Sequence, residues 1–219
     1  MSNSSPVRPR PAASLIIYRQ RGKDLEILMG CRNSKARFKP GVYVFPGGML
    51  ERSDHFVTPA SDLDPLFTQR MGVGNSSSRA QALANAAIRE TYEEVGLTVG
   101  TKVDFTPSSH NNWTAFAAKH IAPNLGALDY IGRAITPAHQ PIRFDARFFS
   151  TSAEHVDGDI EDNGELTDLR WISMRKRESF NMMKVTHFML DVLTNRLRGQ
   201  QPKSPFLYFV NMRPTTKWL

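Results

Sequence analysis

The sequence predicts an α/β layered domain, because apolar, β-branched runs of strand length lie on both sides of a long alanine-rich helical stretch. Length agrees: 219 residues suffice for one sizeable core and would leave two full domains cramped. Composition agrees too. At 40% hydrophobic and 22% charged the chain is ordinary globular material, and no uninterrupted apolar run approaches the ~20 residues of a membrane-crossing helix.

In chain order, apolar runs at 13–18 and 25–31 flank Gln20-Arg21-Gly22-Lys23-Asp24 and predict a β-hairpin. A third short strand at 42–45 is closed by Pro46-Gly47-Gly48. From 55 to 78 the periodicity is lost, which predicts a long loop with one helical turn around 64–70. Loops of that length are usually functional or mobile. The strongest helix follows: Ser78 stands as N-cap with Gln81 at capping-box spacing, Ala and Leu dominate through Val95, and Gly96 sits at the stop. A further helix is expected at 111–120, with strands at 128–136, 144–151 and 166–172. An amphipathic helix is expected at 185–198, with Phe188, Leu190, Val192, Leu193 and Leu197 mostly facing a core.

The net charge of +7 is local. Residues 1–40 carry nine Lys or Arg against Asp24 and Glu26, and the remainder balances 19 basic against 19 acidic residues. Such a region steers any polyanion, including a phosphorylated small molecule, and does not by itself mean nucleic acid. One cysteine, Cys31, excludes an internal disulfide and a Cys-based zinc cluster, and fits a reducing, cytoplasmic setting. Pro6, Pro9 and Pro11 would break a targeting helix, so residues 1–11 are expected as a mobile basic tail without organelle targeting, ahead of a single domain at 12–219.

The chemistry concentrates in Arg89-Glu90-Thr91-Tyr92-Glu93-Glu94-Val95-Gly96-Leu97. At about 100° per residue, Glu90, Glu93 and Glu94 share one arc of about 100°, with Ile88, Tyr92 and Val95 opposite. A solvated acidic face is energetically permitted, since like charges at this spacing cost only ~0.2–0.5 kcal/mol per pair. An oxygen-only ligand set for Mg²⁺ or Mn²⁺ is the sharper alternative.

This order resembles the second half of the Nudix box, and Phe45-Pro46-Gly47-Gly48 resembles the strand end and glycine turn that open it. The chain is therefore similar to the Nudix hydrolase family, which implies an α/β/α sandwich with a mixed central β-sheet. It departs from the box in three ways. Asp54 stands where Glu is expected, with Glu51 nearby; Thr91 replaces a bulky aliphatic; and 34 residues, not seven, separate Asp54 from Arg89, an insertion at about 55–81. Upstream, Leu28-Met29-Gly30-Cys31-Arg32-Asn33, Arg37 and Gly41 keep part of the pattern of coenzyme A-cleaving members. Phe38 to Gly48, Ile135-Thr136-Pro137 and Arg143 to Phe149 resemble the acyl-coenzyme A diphosphatase branch, whose box is interrupted.

The resemblance implies metal-dependent hydrolysis of a diphosphate linkage, with coenzyme A or its thioesters as leading substrate. NADH, ADP-ribose, a nucleotide sugar, an RNA end, or a catalytically silent binding module are the alternatives. It implies Mg²⁺ or Mn²⁺ held by Glu90, Glu93, Glu94 and the Gly47 carbonyl. Arg89 would orient the carboxylates, so that Arg89→Ala weakens catalysis more than folding. Arg32 and Arg37 either clamp a phosphate or merely solvate a strand end. Glu161 and Glu165, in an acidic stretch at 154–168 without one Lys or Arg, are candidates for an extra acid from a later loop. The expected partner is a small nucleoside diphosphate derivative, with neither nucleic acid nor membrane, in a chain whose oligomeric state, homodimer included, is open.

Overall fold

A computed structural model describes residues 7–36, 38–106 and 111–219. Its strands are β1 (Arg10–Arg21), β2 (Asp24–Arg32), β3 (Tyr43–Val44), β4 (Gly47–Met49), β5 (Gly100–Lys102), β6 (Ile121–Pro123), β7 (Asp129–Ile135), β8 (Phe144–Ser152), β9 (Leu166–Ser173), β10 (Pro205–Val210) and β11 (Arg213–Trp218). The α-helices are α1 (Pro65–Arg70), α2 (Ser77–Val95), α3 (Thr114–Ala118) and α4 (Lys184–Leu197). The main sheet runs β11-β10-β7-β8-β1-β2-β3, with β4 also on β1 and β9 also on β2. It is mixed: β1–β8 and β10–β7 are parallel and the other pairs antiparallel.

Alternation along β1 separates two cores. Ala13, Leu15 and Ile17 join the core that packs on α2, whereas Ile16 joins the one that packs on α4. The result is the expected α/β/α sandwich. α2 lies close to the sheet because its buried face is built from Ala80, Ala84 and Ala87 with Leu83 and Ile88. β1 also forks. Its later residues Tyr18 to Arg21 pair with β2, while Ala12, Ala13 and Ser14 pair with β4, which brings Gly47 and Gly48 against the middle of the sheet.

Four expectations are corrected. β1 starts at Arg10, paired with Phe144, so Arg10 and Pro11 belong to the sheet rather than to the tail. The N-cap of α2 is Ser76, whose hydroxyl accepts from the Arg79 N–H at 3.3 Å. Gln81 does not close a capping box; its amide donates to Asp62 at 2.9 Å. The segment at 111–120 is a 3-10 turn followed by the five-residue α3, and its helix stops before His120, which takes a positive φ of 52°.

The stretch read as a loop at 55–78 holds a turn at Ser53–Phe56 and α1, capped by Asp64, whose side chain accepts from the Leu66 N–H. It is clasped at both ends. The buried Asn85 amide donates to the carbonyls of Asp54 and Val57 at 3.1 and 3.2 Å, and the buried Arg147 donates to the carbonyls of Met71 and Gly72. Neither the hairpin β10–β11 nor the small β5–β6 pair has an alternation strong enough to show in the sequence.

Candidate active site

Arg89 is the centre of the site. It is 1% exposed, yet every guanidinium N–H has an acceptor. Nε and Nη2 form a fork on Asp54 at 2.8 and 3.1 Å, and Nη2 also donates to the Met49 carbonyl at 2.9 Å. Nη1 donates to Glu90 at 2.9 Å and Glu93 at 2.8 Å. Asp54, wholly buried, additionally accepts from the Trp113 indole at 3.2 Å and the Glu51 N–H at 2.8 Å. Asp54 thus pairs directly with an arginine far along the chain. The 34 intervening residues leave that contact intact, because closure cost grows only slowly with loop length.

The three glutamates occupy different surroundings. Glu94 is buried and accepts from the Gly47 N–H at 2.7 Å. Burial pushes its carboxyl up to about 8, opposed by the Gly47 donor and by Arg32 and reinforced by Glu90 and Glu165. Burial likewise raises Glu90 to about 7, against the pull of Arg89 and with repulsion from Glu93 and Asp54. Glu93, with 38% of its side chain exposed, is raised in the same direction by burial, with Arg89 opposing and Glu51 and Asp54 adding repulsion. Gly48 is required by close approach: a Cβ there would lie 2.4 Å from the Glu90 carboxylate. Gly47 has φ 154°, and a Cβ would lie 2.4 Å from the Ala13 carbonyl oxygen.

Among the described residues no group of three or more His, Cys, Asp or Glu side chains is arranged to hold a metal ion. The reason is visible: Glu90 and Glu93 each turn an oxygen to Arg89, and Glu94 turns one to Gly47. The donor chemistry nonetheless fits a hard divalent cation. It is all oxygen, and the upward shifts of Glu90 and Glu94 report the cost of burying their negative charge, which a cation would offset.

Gly47 and Gly48 also line a cavity of about 830 Å³ on the α4 face of the sheet, together with Arg32, Ser14, Phe45 and Phe148. Their other side carries Glu90 and Glu94, so two residues without side chains separate the carboxylates from the cavity. Arg32 presents a buried Nε without a hydrogen-bond partner, its Nη1 donating to the Phe38 carbonyl at 3.4 Å. Arg37 lies outside the described residues. Glu165 is near enough to raise Glu94. Glu161 sits past the end of α2, its N–H on the Val95 carbonyl at 3.0 Å and its stem against Gly96. The structure therefore brings Glu165 toward the carboxylate face and leaves Glu161 at the helix terminus. Trp113 carries no sequence signal for its place beside Asp54; the Gly48-to-Asp54 spacing is the only clue to that acid.

Sheet, glycine turn and carboxylate-bearing helix define a Nudix-type protein. No protein-family model matches the chain. It is 29% identical to a Nudix hydrolase from Alicyclobacillus acidocaldarius, over 85% of this chain and 92% of that one, with a TM-score of 0.66. The Nudix domain of Shewanella oneidensis NrtR, complexed with ADP ribose, shares the fold at a TM-score of 0.52 and 10% identity, over 89% of this chain and 94% of that one. Among curated proteins it is similar to acyl-coenzyme A diphosphatase NUDT19 of Xenopus laevis, 24% identical over 199 residues, and of Gallus gallus, 32% identical over 95 residues. These matches cover 68% and 34% of this chain, and only 52% and 25% of those proteins. In both fold and sequence the chain is similar to the Nudix hydrolases. Within that family its resemblance is to the acyl-coenzyme A diphosphatases.

Proposed function

We propose that the protein hydrolyses the diphosphate linkage of a nucleoside diphosphate derivative, coenzyme A or an acyl-coenzyme A, giving 3′,5′-ADP and 4′-phosphopantetheine or its acyl form. The observation that carries this reading is the placement of Gly47 and Gly48, with the α2 carboxylates on one side and the Arg32-edged cavity on the other. The names of the curated relatives support the choice of substrate.

Glu90, Glu93, Glu94 and the Gly47 carbonyl would hold Mg²⁺ or Mn²⁺, which when bound neutralises phosphate charge and lowers the pKa of the attacking water. The chain's own residues do the rest. Arg32, with its unpartnered buried Nε, binds a phosphate oxygen. Arg89 fixes the rotamers of Glu90 and Glu93 from beneath. The glycine pair lets the diphosphate approach the backbone without a Cβ in the way. Water adds to one phosphorus, the bridging P–O bond breaks, and the water's proton passes to a carboxylate of the face.

The test is incubation of the purified protein with coenzyme A and Mg²⁺ or Mn²⁺, with products resolved by chromatography beside NADH and ADP-ribose controls. The two expected products establish the reading. Cleavage of the controls alone keeps Nudix chemistry and removes coenzyme A, and silence on all three overturns the enzymatic reading.

A further inference from the structure

The cavity extends well beyond what a diphosphate needs. From Gly47 and Gly48 it crosses the α4 face of the sheet over β1, β8 and β7 to the C-terminal hairpin β10–β11, and Leu207, Phe209, Met212, Pro214 and Thr216 belong to its lining. β10 stands three strand spacings from β1, about 14 Å. The hairpin presents one face to it: Leu207 is paired with Thr216 and Phe209 with Pro214, so all four project to the same side. The alternate residues Phe206 and Tyr208 turn away and stack on one another, with the Arg133 guanidinium over Phe206. Phe38, Phe144, Phe188 and Met183 add further apolar surface, and they are only half-buried, so apolar area stays in contact with solvent around the cavity. A concave, mainly apolar lining with a cationic group, Arg32, beside the glycine pair is the form of a site for an amphiphilic ligand.

The turn carries a second observation. Asn211 and Met212 take φ of 48° and 64°. Such two-residue hairpin turns are ordinarily Asn-Gly, because a side chain at the second position is disfavoured. Here that position holds a long, adaptable thioether on the rim of the cavity.

We propose that β10–β11 is the specificity wall of the site, reading the length of an apolar chain carried by the substrate, here a thioester-linked acyl group, through Leu207, Phe209 and Met212. This rests on the coenzyme A diphosphatase reading above and deepens it. The anionic end of the ligand lies at Arg32 and the glycine pair, and the acyl chain runs across the sheet toward the hairpin.

The experiment compares kcat/KM for free coenzyme A, acetyl-coenzyme A and palmitoyl-coenzyme A in the wild type, Leu207→Trp and Met212→Gly. The readout is the ratio of palmitoyl-coenzyme A to free coenzyme A. The wild type is expected to favour the long chain, and Leu207→Trp, which fills the wall, to lower the ratio by about tenfold. Met212→Gly suits the positive φ and so keeps the fold where the bulky variant does not; it lowers the ratio several-fold by removing the rim. Free coenzyme A cleaved by all proteins with an unchanged ratio overturns the wall and leaves the diphosphatase reading intact. A wild type that cleaves neither coenzyme A nor its esters overturns that reading, and this inference falls with it.

Discussion

At the scale of single residues the site rests on one buried ion pair. Asp54 and Arg89 are both essentially inaccessible and hydrogen-bonded throughout, so removing either partner strands a charge in the interior. Asp54→Ala should cost about 3–5 kcal/mol in urea unfolding, and a loss below about 1 kcal/mol would contradict this geometry. The same contacts bear on Arg89→Ala: an arginine that also holds the Met49 carbonyl is expected to matter to folding as well as to catalysis. Glu93 is the residue that separates the two effects. It is the most exposed of the three glutamates, and glutamine can still accept from Arg89. Glu93→Gln should therefore lower turnover by about 10²-fold or more while changing stability by less than about 1 kcal/mol. Protonation gives a further prediction for metal-free protein. Glu90 and Glu94 titrate near 7 and 8 when folded and near 4.5 when unfolded. The folded state therefore binds more protons between those values, and stability from these groups is present at low pH and lost as pH rises through 7 to 8. The thermal midpoint should fall between pH 6 and pH 9, and millimolar Mg²⁺ should flatten the fall; a midpoint that stays level or climbs over this window would refute the upward shifts.

At the scale of elements, the segment between Asp54 and α2 is held by a few buried polar side chains on neighbouring elements. Asn85 is the clearest, since its amide donates to the carbonyls of both Asp54 and Val57. Asn85→Ala leaves those carbonyls unpaired in the interior and should cost about 1–3 kcal/mol, read by chemical denaturation. Long helices and periodic strands were legible from sequence because their pattern is local: α2, α4, β1, β2, β7, β8 and β9 all lie within a few residues of where the periodicity puts them. The N-cap moved two residues because Ser76, Ser77 and Ser78 offer equivalent local chemistry, and Gln81 was drawn to Asp62 by tertiary contact. β4, β5 and β6 are three residues each, too short to carry an alternation, and exist because a partner strand supplies their hydrogen bonds.

Over the whole molecule, β1 is the axis: it has partners on both sides and a core on each face. Native-state hydrogen exchange should find β1 and β8 slowest, and the sheet edge β11 with the separate β5–β6 pair fastest; equal protection across the sheet would refute this ordering. No helix among the described residues is long and apolar enough to cross a membrane.

The amino-acid sequence alone determined the α/β class, the acidic face of α2 and the glycine turn, because each depends on spacing within a few residues. Tertiary structure decided the rest. It alone joined Asp54 to Arg89 across 34 intervening residues, brought Trp113 to the same acid, and set the glycine pair between carboxylates and cavity. It also carried the C-terminal hairpin to the far side of that cavity. These are contacts between residues distant in the chain, formed when burial leaves a charge or an apolar face with one place to go.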